Sequence, residues 1–132
     1  EAAGLHAAMD WINQYSWEDI AEHEDELIAR AAKKLSEIPG LRLLGPFSSH
    51  HSALIIPHGC ISFVIDGVHP HDLTDVLGQK GICLRAGHQC TQPLHKSLNI
   101  GASTRLSVAI YNTKEEIDVC AEAITTAVEK LR

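Results

Sequence analysis

The stretch CISFVIDGVHPHDLTDVLGQKGICLR, residues 60–85, reads in succession as strand, turn, helix and strand. Ile61, Phe63 and Ile65 alternate with Ser62 and Val64, the period of a β-strand over 59–65, and Asp66-Gly67 closes it as a turn. Pro70 suits a first helical turn, where its missing N–H would have no partner in any case. Leu73, Val76 and Leu77 then mark one apolar stripe that stops at Gly78 to Gly81, and the apolar, β-branched GICLR (81–85) follows as a further strand.

Working outward, Leu5, Ala8, Met9 and Ile12 recur at helical spacing and stop at the polar residues Asn13 to Ser16. Ser16 with Asp19 resembles a capping box and opens a helix over about 17–38, with Ile20, Leu27, Ile28, Ala31 and Leu35 on one face. After Pro39-Gly40, LRLLG (41–45) is a short strand, and 47–52 is a polar loop carrying His50 and His51. Downstream, AGHQCTQP (86–93) is a polar loop, LHKSL (94–98) a brief helical turn, and 104–110 a fourth strand. The last helix, 114–131, aligns Ile117, Cys120, Ala121, Ile124 and Val128. The order α, α, β, β, α, β, β, α predicts an α+β fold in which helices cover one face of a small mixed or antiparallel sheet.

With 132 residues, 45% of them hydrophobic, the chain fits a single domain over 1–132. A net charge of −6, with eleven Lys and Arg scattered along the sequence, offers no basic stripe for phosphates, so no nucleic-acid partner is expected. No apolar run approaches the roughly 18 to 20 residues that span a bilayer. Cys60, Cys83, Cys90 and Cys120 are irregularly spaced without a CxxC pair, which fits a reduced cytoplasmic or organellar compartment. The chain opens directly in a helical pattern without an initiator Met and reads as a piece of something longer.

Arg85-Ala-Gly-His-Gln-Cys90 sets a thiol on a Gly-containing loop directly after a strand, where side chains gather at sites without belonging to the core. A thiol attacks only as thiolate, which positive charge from Arg85 and His88 favours. Cys60 and Cys83 fall in strand patterns and Cys120 on an apolar helix face, so all three read as packing residues. His88 and Cys90, with Cys83 or His95, include plausible zinc ligands, yet their spacing matches no closed structural site. His6 and His23 read as helix-surface residues, and His50, His51 and His58 as solvated loop residues.

The segment 81–118, GICLRAGHQCTQPLHKSLNIGASTRLSVAIYNTKEEID, resembles the group II cysteine desulfurases of the SufS type, within the class V aminotransferase family. The likeness rests on the Arg-x-Gly-His-x-Cys loop, the following Gln-Pro-Leu, an Arg fifteen residues past the cysteine and the Tyr-Asn-Thr-x-x-Glu-Ile-Asp opening of the last helix. Val-His-Pro-His-Asp-Leu at 68–73 and the Gly45-Pro46 turn extend it over nearly the whole chain. The resemblance implies the C-terminal small domain of a fold-type I pyridoxal phosphate enzyme that converts L-cysteine to L-alanine. In that setting Cys90 takes the sulfur as a persulfide for iron–sulfur cluster assembly.

It further implies that Arg105 pairs with the substrate carboxylate, that Arg85 borders the same pocket, and that His88 and Gln89 complete the loop, Gln89 standing where the family usually has a second histidine. His71 matches a histidine thought to meet the zinc of a SufU-type sulfur acceptor; a SufE-type acceptor is the other partner implied, and the full-length enzyme is expected to be a homodimer. Pyridoxal phosphate is expected on a lysine of a larger N-terminal domain, because Lys33, Lys34, Lys80, Lys96, Lys114 and Lys130 match no cofactor lysine; no cofactor or metal is expected on this chain. The isolated chain is then expected to be inactive, and to associate through the apolar residues of its first helix. Selenocysteine lyase activity, or a stand-alone module that accepts sulfur or docks a partner, are the competing readings.

Overall fold

The structure, a computed structural model, describes residues 1–45 and 59–132. The expected polar loop at 47–52, and with it His50, His51 and also His58, lies outside the described residues. The elements run α1 (Ala2–Ile12), α2 (Trp17–Ser36), β1 (Leu41–Leu44), β2 (Cys60–Ile65), α3 (Pro70–Gly78), β3 (Arg85–Gly87), α4 (Gln92–Ser97), β4 (Ser103–Ser107) and α5 (Lys114–Leu131). The four strands form one sheet in the order β1-β2-β4-β3, every pair antiparallel. The α+β fold read from the sequence is the fold observed.

Strand alternation divides the sheet into two unlike faces. Phe63 opposes Leu43 and Thr104, and Ile61 opposes Leu106, so these side chains share one face. That face is buried against Leu27, Ile28, Ala31 and Leu35 of α2, Leu73 and Leu77 of α3, and Ile117, Cys120, Ile124 and Val128 of α5. The other face carries Arg42, Ser62, Arg105 and Arg85. Helix α1 buries no residue, and Leu5 and Met9 are exposed there with Trp11 and Trp17 close by in sequence. No helix among the described residues is long and apolar enough to cross a membrane.

Helices α2 and α5 start at side-chain caps. The Asp19 amide donates to Ser16 Oγ at 3.0 Å, and Thr113 with Glu116 makes a full reciprocal capping box at α5. Two strand boundaries differ from expectation. The third strand begins only at Arg85, because the Ile82 amide turns back to donate to the Leu77 carbonyl at 3.1 Å and closes the end of α3. The fourth ends at Ser107, since the Ala109 amide is taken by Asn112 Oδ1 at 2.8 Å, which starts the turn into α5.

Between α2 and α5, Arg30 holds Asp118 with two donors at 2.8 and 2.6 Å, and Lys34 Nζ lies 3.2 Å from the same carboxylate. The Arg30 hydrogen bonds, reinforced by Lys34, bring the Asp118 carboxyl from 3.8 down to about 2. A depressed carboxylate contributes its stability above the unfolded-state value and loses it as pH falls through the folded one. Thermal melts of the chain between pH 5 and 2 should therefore fall most steeply between about 4 and 2, and Asp118→Asn should flatten that part of the curve. A variant with an unchanged acid slope would show that the clasp adds no stability.

Candidate active site

Strand β3 is three residues long and runs straight into the loop that carries Cys90. The backbone there is unusual: Gly87 has φ 123°, and the non-glycine residues Gln89 and Cys90 have φ 52° and 62°. Left-handed backbone at a non-glycine residue costs on the order of 1–3 kcal/mol and persists only where neighbouring contacts fix it. Those contacts are present. Thr91 donates to the His88 carbonyl through both its amide and its hydroxyl, each at 2.8 Å. Gln89 Nε2 donates to the carbonyls of Arg85 at 3.2 Å and Ser103 at 3.4 Å, tying the loop to β4.

This geometry presents an exposed thiol to a guanidinium: Arg85 Nη2 is 3.9 Å from Cys90 Sγ. Arg85 also stands directly opposite Arg105 in the β3–β4 register, with Ser62 on the far side of Arg105. Two like charges at opposed positions disfavour each other unless an anion lies near them. Arg105 Nε is buried and has no hydrogen-bond partner among the described residues, and Gln89 Oε1 is in the same condition. A planar guanidinium with a donor to spare, next to a second guanidinium, is suited to a carboxylate.

The structure brings Arg85, His88, Gln89, Cys90 and Arg105 together around β3, its loop and β4. His71 belongs to a different cluster: it is exposed near the start of α3, stacked on His69 with ring centres 5.5 Å apart. The His88 ring meets His95 edge-on at 5.5 Å, but both His95 nitrogens are engaged within the protein, and no group of three or more potential metal ligands occurs among the described residues.

Three expectations are corrected. Cys83 is exposed rather than packed, because no strand forms around it and it is Ile82 and Leu84 that pack on the core. Cys60, half-buried on β2, opposes Ser107 on the polar side of the sheet. His23 is not a free surface residue: its Nε2 donates to the Asn112 carbonyl at 3.0 Å, joining α2 to the start of α5. Cys120 is buried as read, and burial pushes its thiol up to about 11. The buried His95 was not singled out as part of the loop's support. Its only signal in the sequence is the i, i+4 spacing from Thr91, the residue after Cys90.

Comparison with known proteins places this arrangement. The whole α+β unit superposes on part of the crystal structure of the cysteine desulfurase CsdA from Escherichia coli, in an S-sulfonic acid form, with a TM-score of 0.83 and 32% identity, covering 98% of this chain and 30% of that one. The fold is thus one found within cysteine desulfurases. The chain belongs to the aminotransferase class-V family, whose model matches residues 1–120. Among curated relatives, the cysteine desulfurase of Haloferax volcanii is 38% identical over 98% of this chain, and a probable cysteine desulfurase of Halalkalibacterium halodurans is 42% identical over 93%. The chain spans 29% and 28% of the lengths of these two relatives.

Members of the family depend on pyridoxal phosphate. The lysines of this chain, none of them buried, do not fit the holding of that group. Lys34 is paired with Asp118 and Lys114 with Glu26, while Lys33, Lys80, Lys96 and Lys130 are exposed on or beside helices. What the chain presents is an exposed thiol beside a pair of facing guanidinium groups.

The four thiols should separate by reactivity. Brief alkylation of the folded chain at pH 8, with peptide mass spectrometry, should label Cys83 and Cys90 first and leave Cys120 unlabelled until denaturant is added. Early labelling of Cys120 would contradict its burial.

Proposed function

We propose that residues 1–132 are the C-terminal small domain of a SufS-type cysteine desulfurase, with Cys90 as the residue that accepts sulfur. The observation that carries this reading is the strained loop that holds Cys90 Sγ beside Arg85, which stands opposite Arg105, whose Nε has no partner among the described residues. The likeness to named cysteine desulfurases over 93–98% of the chain supports it.

In this reading Arg105 binds the carboxylate of L-cysteine by two parallel donors and so aims the substrate sulfur at the loop. Arg85 stabilises the Cys90 thiolate. The thiolate attacks that sulfur: an S–S bond forms, the carbon–sulfur bond breaks, and its electron pair stays on the carbon side, which takes up a proton to give L-alanine. Pyridoxal phosphate, which residues outside this chain would hold, would supply the electron sink that weakens the carbon–sulfur bond. The persulfide on Cys90 is then passed to an acceptor protein of the SufU or SufE type for iron–sulfur cluster assembly, with His71 on α3 as a docking contact. The enzyme works as a cytoplasmic or organellar homodimer, and the chain alone has no turnover.

Cys90→Ala in the complete enzyme should lower alanine formation from cysteine by about two orders of magnitude or more while the cofactor's absorbance stays in place. Near-normal turnover would sink the assignment. Arg105→Lys should raise KM for cysteine about tenfold, because a point charge replaces a two-pronged donor and one charged hydrogen bond is worth roughly 1.5–3 kcal/mol. An unchanged KM would mean the carboxylate is held elsewhere.

A further inference from the structure

His95 has no part in the chemistry above, yet it is 4% exposed and sits behind the reactive loop. Its Nδ1 lies 3.1 Å from the Thr91 carbonyl oxygen. A carbonyl only accepts, so Nδ1 carries the ring proton. In the neutral ring Nε2 is then an acceptor, and Ser103 Oγ, 2.9 Å away and fully buried, donates to it. Ser103 opposes Gly87 in the β3–β4 register, and its Oγ lies 3.4 Å from the Gly87 carbonyl. One imidazole thus grips the residue after Cys90 with one nitrogen, and with the other the strand that carries Arg105 two positions further on. The edge contact with His88 adds a third point of support to the same loop.

An aliphatic side chain of similar size would fill the space but leave Ser103 Oγ with only its long contact to Gly87. The left-handed backbone at Gln89 and Cys90 needs surroundings that fix it, and the His95 ring reaches the loop on both sides of those two residues, at His88 and at Thr91.

We propose that His95 is a positioning residue for Cys90: its two hydrogen bonds, to Thr91 and Ser103, lock the 87–91 loop in the conformation that keeps Sγ at the Arg85 guanidinium. Its consequence for catalysis rests on Cys90 being the sulfur acceptor; the brace itself does not.

Hydrogen exchange followed by mass spectrometry on the full-length protein without substrate tests the brace directly. His95→Leu should speed exchange in a peptide covering 86–93 about tenfold while a peptide from α5 stays unchanged, because only local opening is made easier. Ser103→Ala, a smaller change, should act in the same direction. His95→Asn, whose amide N–H can still reach the Thr91 carbonyl, should recover part of the protection. In turnover assays His95→Leu should lower kcat at least fivefold with KM for cysteine within twofold, since Arg105 is untouched. Equal acceleration in both peptides, no acceleration in the loop, or an Asn variant no better than Leu would each overturn the proposal. Should the exchange results hold while Cys90→Ala keeps full turnover, the brace stands and the sulfur-acceptor reading fails.

Discussion

The register between β2 and β4 is the constraint on which the rest depends. Ile61 must oppose Leu106 and Phe63 must oppose Thr104 for the inner face of the sheet to meet α2, α3 and α5 without a gap. Because side chains alternate, the same register turns Ser62 and Arg105 to the other face. A slip by one residue would bury the guanidinium and expose the core. The burial that stabilises the fold therefore also sets the face of the sheet on which Arg105 lies.

Strain and charge act together on the outer face. The left-handed backbone at Gln89 and Cys90 brings the thiol back over β3, to within reach of Arg85, where an extended loop would carry it away from the sheet. The hydrogen bonds that fix this path come from short-range partners in Thr91 and Gln89 and from long-range ones on β4. Neither kind of support places a cofactor on this chain. The six lysines lie on helices and their edges, and the guanidinium pair lies on the face of the sheet away from the core.

Element types were legible in the sequence wherever burial is one-sided. The alternation at 61–65 and the stripes of α2 and α5 state which residues face the core, and the core cluster contains all of them except the half-buried Ile20 and the buried Ala121. Boundaries were less legible, because hydrogen bonds that propensity does not register set them: the Ile82 amide turning back to Leu77 delays β3, and Asn112 capturing the Ala109 amide shortens β4. Of the candidate site, the loop motif singled out Arg85, His88, Gln89 and Cys90, and the family resemblance added Arg105. It gave no hint that Gln89 spans two carbonyls, nor that His95 is buried. Both depend on which elements lie side by side, and a histidine on a six-residue helix has no periodicity to betray its surroundings.

Strand β3 meets its neighbour at only three positions and sits at the rim of the sheet, while β2 and β4 are paired at its centre. The described residues thus divide into a packed interior and a rim strand that adds no side chain to the apolar core cluster. Residues 88–91 are absent from the apolar core cluster, so replacing them leaves the packing of that cluster in place. A scaffold of this kind separates heritable shape from heritable reactivity, and lets one be retuned while the other is kept.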